Sequence, residues 1–212
     1  VATDFWNANG ADSFRFLTWA RWTCIPFSLL GGYVCFRWGR ELHGGAAGLV
    51  ALVLWCFSPM ILGHGSLITA DVPAAACGAA AMYTFWLWLC RPHWRATVFA
   101  GVVLGLAELT KTSLIVLFGL VPAIWLGFRW FQRHKSTERS WSREAGMLVI
   151  LITLGVFVIN LGYGFEGSFQ RLATYQFRSR ILGGNMDSET NRVFGGNRFS
   201  GTLVGQLPVP LP

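Results

Sequence analysis

The feature that most constrains this chain is a series of apolar runs near the length needed to cross a lipid bilayer. A helix spans the hydrocarbon core with about 20 apolar residues, since each residue adds about 1.5 Å. Hydrophobic residues make up 53% of the chain and charged residues 13%, well below the roughly 25% of a soluble domain. We therefore predict an all-α fold, a polytopic transmembrane helical bundle of about six spans. The predicted spans are about 16–36, 44–62, 71–90, 96–109, 112–128 and 145–161.

The apolar region 96–128 is predicted to form two helices because one would be too long. A single helix would measure about 50 Å, against a hydrocarbon core of about 30 Å. The charged residues Glu108 and Lys111 lie at its centre. A break at 108–112 leaves two short arms, so we expect the junction to be recessed in the bilayer within a protein-lined cavity.

The distribution of basic residues predicts the orientation of the spans and the domain organisation. Cytoplasmic loops carry an excess of Lys and Arg, and three loops of this chain are basic. With six spans all three fall on one side, so residues 1–15 end an extracytoplasmic loop, 16–162 form the transmembrane domain, and 163–212 form a truncated extracytoplasmic segment. Because the chain opens on Val and stops within a Pro-rich stretch, we expect a fragment of a longer protein. The basic loop residues are Arg37, Arg40, Arg91, Arg95, Arg129, Arg133, Lys135, Arg139 and Arg143.

The net charge of +7 does not indicate a nucleic-acid partner, because most Arg residues lie in loops between apolar runs. The five cysteines all lie within apolar runs, where we expect them to act as small buried hydrophobic residues. Their spacing is not typical of a disulfide framework or a zinc site.

Five ionisable residues are predicted to meet at the outer membrane face, although they come from four separate stretches. They are Arg21, His64, Asp71, Glu108 and Lys111. An ionisable group among apolar spans is costly, so the default interpretation is a functional site with a partner nearby. We expect part of a pocket for an anionic, lipid-linked substrate.

Each of these residues also has a structural interpretation. Lys111 either anchors the chain at the interface or has a partner, which would be Glu108 or an incoming phosphate. Asp71 either caps a helix or acts as a cavity carboxylate that holds a divalent cation. His64 is a loop histidine or a substrate contact, and Arg21 is an anchor or a bidentate phosphate ligand. No other cofactor is expected.

The C-terminal segment adds candidate substrate-binding residues: Arg178, Arg180, Asn197 and Arg198. Asn197 ends the second of two Gly-Gly-Asn stretches, for which turn formation is the structural alternative. Basic residues on the predicted outer side run against the positive-inside trend, which a folded outer domain tolerates. We expect this cluster to cover an anionic substrate.

Several stretches carry a family resemblance. The runs HGSLITADVPAAACGAAAMYTFWLWL and GVVLGLAELTKTSLIVL, with TWARW, NLGYGFEGSF, YQFRSR and GNRFSG, resemble the GT-C superfamily of membrane glycosyltransferases. The chain is most similar to the bacterial branch of protein O-mannosyltransferases and lipid A aminoarabinose transferase. The resemblance implies inverting sugar transfer from a polyprenyl-phosphate-linked donor to a protein, lipid or glycan acceptor. The site would lie on the outer side of the bacterial cytoplasmic membrane.

The resemblance also implies roles for individual residues. Arg21 and Lys111 would bind the donor phosphate, and Asp71 would lie at the catalytic cavity. The family's acidic Asp-Glu pair is absent, because Asp4 and Asp12 are isolated and do not match it. The principal base is therefore expected upstream of residue 1, and this fragment alone is expected to be inactive.

Two other functions fit parts of the pattern. A secondary transporter or channel for an anionic substrate would also contain a broken span with ionisable residues near the break. The clustering of these residues at one face, rather than at the midplane, favours the transferase. A scaffold subunit without chemistry would leave Lys111 and the basic C-terminal segment unexplained.

The orientation can be tested by cysteine labelling in a variant that lacks the five native cysteines. We expect Ser66→Cys to react with a membrane-impermeant maleimide added outside intact cells. Ser136→Cys should react only after the inner side is exposed. The reverse pattern would overturn the predicted topology.

Overall fold

The computed structural model describes residues 2–65, 67–132, 140–177, 180–183 and 196–211. Ser66, Ser136 and Arg178 lie outside the described residues. The chain divides into two compact units, Val1–Gly155 and Val156–Pro212. Its α-helices are α1 Ala2–Asn9, α2 Ser13–Trp22, α3 Ile25–His43, α4 Gly45–Cys56, α5 Pro59–His64, α6 Asp71–Cys90, α7 Trp94–Thr110, α8 Val116–Gln132, α9 Trp141–Gly162 and α10 Arg180–Gly183.

Residues 16–36 were predicted to form one continuous span, but in the structure the helix is broken within this region. Helix α2 ends at Trp22 and α3 begins at Ile25. Pro26 occupies the first turn of α3, where a missing backbone N–H costs nothing. Helix α3 then continues to His43 and ends at Gly44, whose φ of 89° is readily adopted only by glycine.

The predicted span 44–62 also differs, because a proline interrupts it. Helix α4 ends at Cys56, and α5 starts at Pro59. Ser58, which precedes the proline, has an extended backbone with ψ of 126°, as expected for a residue before proline. Helices α3 and α4 pack closely, since a Cβ at Gly48 would lie 2.8 Å from the carbonyl oxygen of Phe36.

Helices α6 and α7 form an antiparallel hairpin at the centre of the first unit. Near their connection the indole Nε1 of Trp88 donates a hydrogen bond of 2.9 Å to the Thr97 hydroxyl, and both side chains are fully buried. Helix α7 also approaches α9, since a Cβ at Gly101 would lie 2.7 Å from the Leu151 carbonyl oxygen. Small residues permit such close contact between apolar helices. The hairpin therefore fixes the ends of α6 and α7 relative to each other.

The apolar region 96–128 is divided at Lys111. Helix α7 ends at Thr110, and Lys111 adopts an extended conformation with φ −160° and ψ 121°. A 3-10 helix, Thr112–Ile115, then leads into α8. The chain thus has an irregular backbone between two apolar helices.

Three helical stretches of the described chain are long and apolar enough to cross a bilayer: Asp71–Cys90, Thr112–Phe131 and Trp141–Gly162. Only 22–44% of each apolar window is buried, which leaves apolar surface that suits lipid contact. The all-α class of an integral membrane protein is confirmed. Three is fewer than the six predicted spans, because α4 and α7 have only 12 and 17 residues and α3 carries charged residues near its end.

A buried ion pair joins α8 to α9. Arg129 Nε lies 2.9 Å from Glu144 Oε2, with side-chain exposures of 3% and 8%. The indole of Trp125 donates to the same carboxylate oxygen at 3.3 Å, and the Arg129 guanidinium lies 5.4 Å from the Trp141 ring centroid. Arg129, which the sequence analysis counted as a loop charge, therefore lies within the helical core.

The second unit is held by side chains that bind backbone carbonyls. Asn160 Nδ2 donates to the carbonyl oxygens of Val156 and Pro210, both at 2.8 Å. The Tyr175 hydroxyl donates to the Leu211 carbonyl oxygen at 2.8 Å. The described residues of this unit also form two isolated antiparallel β-bridges, one between Arg171 and Pro208 and one between Phe177 and Gly196.

The buried ion pair generates a stability prediction. Glu144→Gln removes the carboxylate charge that faces Arg129, and breaking a buried pair costs about 3–5 kcal/mol. We expect the free energy of unfolding, measured by chemical denaturation in detergent, to fall by that amount. The control is Glu41→Gln, in the more exposed pair in which Arg37 and Glu41 lie 2.9 Å apart. Equal effects of the two substitutions would contradict the prediction.

Candidate active site

The strongest polar contact at the predicted site joins two helix ends. Lys111 Nζ donates to Asp71 Oδ1 at 2.7 Å. Asp71 is the first residue of α6, and Lys111 immediately follows the last residue of α7. The extended backbone of Lys111 ends the helix and leaves its side chain beside the start of α6. The hairpin thus places a cation and a carboxylate together although they are 40 residues apart.

His64 lies next to this pair. Its Nδ1 is 3.8 Å from Asp71 Oδ2, which is too long for a hydrogen bond. Nδ1 is inaccessible to solvent and has no hydrogen-bond partner among the described residues. His64 is the last residue of α5, so the break at Pro59 helps to place the imidazole beside Asp71. The sequence prediction that these two residues meet is consistent with this geometry.

Arg21 lies near the end of α2. Three residues later, Cys24 contacts the loop that connects His64 to Asp71. The Cys24 thiol donates to the Leu67 carbonyl oxygen at 3.4 Å, so the turn after α2 contacts the loop between His64 and Asp71. The Arg21 side chain is exposed and has no ion pair among the described residues. The sequence analysis did not assign this role to Cys24, and an isolated cysteine within an apolar run gives no signal for it.

Glu108 differs from the other members of the group in its surroundings. It lies in the last turn of α7, and its residue exposure is only 5%. The sequence analysis named Glu108 and phosphate as the possible partners of Lys111, but the lysine contacts Asp71 instead. The carboxylate oxygen Oε1 of Glu108 is buried without a hydrogen-bond partner among the described residues.

The candidate residues of the second unit have different roles. Asn197 Nδ2 donates to the carbonyl oxygens of Leu172 at 2.6 Å and Tyr175 at 2.8 Å, while its Oδ1 accepts from the Phe199 N–H at 2.8 Å. These bonds give Asn197 a structural function in this unit. Arg180 begins α10, and the Arg198 side chain is exposed.

The residues around Asp71 are poorly suited to bind the predicted divalent cation. The described residues contain no group of three or more His, Cys, Asp or Glu side chains that could hold a metal ion. Asp71 already contacts the Lys111 ammonium, whose positive charge opposes a cation at the same oxygen atoms. We therefore derive no step through a metal.

An apolar groove of about 630 Å³ lies between α3, α4, α5 and α6. Ile61 and Ala75 line it, one helical turn from His64 and Asp71 respectively. Trp38 and Leu42 also line the groove, near the C-terminal end of α3. The groove therefore passes within about one helical turn of His64 and Asp71.

Long apolar helices, together with the contacts among His64, Asp71 and Lys111, define an integral membrane protein with a candidate polar site. The family described as dolichyl-phosphate-mannose-protein mannosyltransferase matches residues 15–163, and this chain belongs to that family. It is a membrane glycosyltransferase of the GT-C type, as the sequence resemblance predicted. Searches of curated proteins and of solved structures gave no significant match.

The ion pair between Asp71 and Lys111 generates a second stability prediction. Their side-chain exposures are 42% and 43%, and exposed ion pairs contribute little to stability. We expect Asp71→Asn to leave the melting temperature in detergent within the scatter of repeated measurements. Glu144→Gln is the positive control because its ion pair is buried. A large loss of stability in Asp71→Asn would assign the pair to the fold.

Proposed function

We propose that this protein transfers a sugar from a polyprenyl-phosphate donor to an acceptor at the extracytoplasmic face of the bacterial cytoplasmic membrane. The observation that carries the proposal is the contact of Lys111 with Asp71, which lies one helical turn from Ala75 in the lining of an apolar groove. The family description names a dolichyl-phosphate-mannose donor, which combines a lipid chain, a phosphate and a sugar. A cation beside an apolar groove suits the first two of these parts.

Lys111 and Arg21 are the proposed phosphate ligands. When the bond between the anomeric carbon and the phosphate oxygen breaks, the phosphate leaves with the electron pair. Cations placed at the leaving oxygen stabilise that charge most strongly where water is excluded. Arg21 has no ion pair among the described residues, so its guanidinium is free to bind phosphate oxygens in bidentate fashion.

The lipid chain of the donor is proposed to lie in the groove between α3, α4, α5 and α6. Ile61 and Ala75 would contact the part of the chain nearest the phosphate, because each lies one turn from the charged group. Trp38 and Leu42 would contact more distant isoprene units. Burial of apolar chain would then position the phosphate at Lys111.

Asp71 is proposed to exchange partners during the reaction. In the structure its carboxylate neutralises Lys111, and the donor phosphate would take its place there. The released carboxylate, beside His64, would line the catalytic cavity, while a separate base on the face away from the phosphate accepts the proton of the acceptor hydroxyl as that oxygen attacks the anomeric carbon. Attack opposite the leaving phosphate inverts the anomeric configuration.

The basic residues of the C-terminal segment are proposed to cover the anionic substrate. Arg178, Arg180 and Arg198 are the candidates for this role. Asn197 would contribute by holding the adjoining turn, because its amide is engaged with backbone groups. The acceptor would be a protein, lipid or glycan hydroxyl.

Substitution of Lys111 tests the proposal directly. In the full-length protein, Lys111→Ala should lower transfer from radiolabelled polyprenyl-phosphate mannose by about 100-fold or more, because a cation at the leaving oxygen is lost. The control, Arg91→Ala, removes an exposed cation just after the opposite end of α6. Normal transfer by Lys111→Ala would return the lysine to an anchoring role.

The partner exchange at Asp71 predicts opposite effects on binding and rate. Asp71→Asn should bind polyprenyl phosphate more tightly, because Lys111 no longer has a competing anion, while its transfer rate falls. Equilibrium binding and single-turnover assays measure the two effects. Weaker binding of polyprenyl phosphate by Asp71→Asn would contradict the exchange of partners. If the unsubstituted protein transports an anionic substrate but transfers no sugar, the transporter function is favoured instead.

A further inference from the structure

One buried carboxyl group is not used by the proposed chemistry. Glu108 lies on α7 two residues before the helix ends at Thr110, which is about 3 Å along the helix axis. Its residue exposure is 5%, and Ala107 beside it is fully buried. The same helix end presents Lys111 to Asp71. Glu108 is therefore close in sequence to the proposed phosphate ligand and deeper in the helical unit.

The arrangement around Glu108 is unfavourable for stability. Its Oε1 is excluded from solvent and has no hydrogen-bond partner among the described residues. A buried polar group without a partner costs free energy, and an apolar side chain would avoid that cost. Lys111 would have been the natural partner, but it contacts Asp71 instead.

The other buried glutamate of the helical unit shows how such a group is satisfied when it serves the fold. Glu144 Oε2 contacts Arg129 Nε at 2.9 Å and accepts from the Trp125 indole at 3.3 Å. Glu144 and Glu108 have similar residue exposures of 6% and 5%. They differ in their partners, because Glu144 contacts Arg129 and Trp125 whereas Oε1 of Glu108 has no hydrogen-bond partner among the described residues.

We infer that Glu108 binds a hydroxyl group of the substrate. This inference rests on the proposed function, because a phosphate at Lys111 brings a sugar ring and its hydroxyl groups to the end of α7. A carboxyl oxygen in a site shielded from water accepts a hydrogen bond from a hydroxyl strongly. The hydroxyl belongs either to the sugar of the donor or to the acceptor, and these two sources share the same chemistry.

A stability measurement separates this role from a structural one. Glu108→Leu removes an unpartnered polar group from a buried position, so the melting temperature of the ligand-free, full-length protein should stay the same or rise. Glu144→Leu is the matched control and should lower it. A lower melting temperature for Glu108→Leu, comparable to that of Glu144→Leu, would assign Glu108 to the fold and overturn the inference.

Ligand binding provides the second measurement. The probes are polyprenyl phosphate and polyprenyl-phosphate mannose, each titrated against the unsubstituted protein, Glu108→Leu and Glu108→Gln. If the hydroxyl belongs to the donor, Glu108→Leu should lose about 10-fold in affinity for the mannose-bearing lipid and none for polyprenyl phosphate. Glu108→Gln, which keeps an acceptor oxygen, should lose less.

The rate of sugar release identifies the other source. If the hydroxyl belongs to the acceptor, both affinities stay unchanged in Glu108→Leu, and the release of mannose from the bound donor slows by about 10-fold. Unchanged affinities together with an unchanged rate would overturn the inference. Failure of the unsubstituted protein to bind either lipid would instead overturn the proposed function, and the inference with it.

Discussion

The hydrocarbon core of a bilayer offers no hydrogen-bond partners to a polypeptide backbone, and this constraint governs the structure. Each apolar run must form a helix, and irregular backbone is tolerated only where protein or a water-filled cavity surrounds it. The described chain has irregular backbone at Lys111, an extended residue that separates two apolar helices and carries an ammonium group that contacts Asp71. The proposed chemistry depends on this break, since a continuous helix would carry Lys111 along its side instead of at its end.

The protein places ionisable groups among its apolar helices in three ways. Arg129 and Glu144 neutralise each other within the core and join α8 to α9. Asp71 and Lys111 neutralise each other where both remain about two-fifths exposed, so that a substrate phosphate could replace the carboxylate. Glu108 is buried, and its Oε1 has no hydrogen-bond partner among the described residues. The first arrangement stabilises the fold, whereas the other two leave interactions available for a ligand.

The limits of sequence reasoning are clear at two of the helices. Composition predicted continuous spans at 16–36 and 44–62, but Pro26 and Pro59 start new helices within or beside those runs. Hydropathy averages over a window and does not register one missing N–H. The missing N–H of proline and its restriction of the preceding residue, considered at each position, would have indicated both breaks. The predicted span 71–90 contains a proline only in its first turn, and there the helix runs from Asp71 to Cys90.

The sequence by itself determined the all-α membrane class and the break near Lys111, because span length and apolar composition limit where a chain can turn in a bilayer. The tertiary structure decided which of the ionisable residues are partners. The sequence analysis named Glu108 as the protein partner of Lys111, and only the packing of α6 against α7 brought the Asp71 carboxylate to 2.7 Å from the ammonium group instead. Helix packing likewise buried Arg129 against Glu144 and left Oε1 of Glu108 without a hydrogen-bond partner in the described part of the chain. Such pairings depend on contacts between distant segments, which a local pattern of residues does not contain.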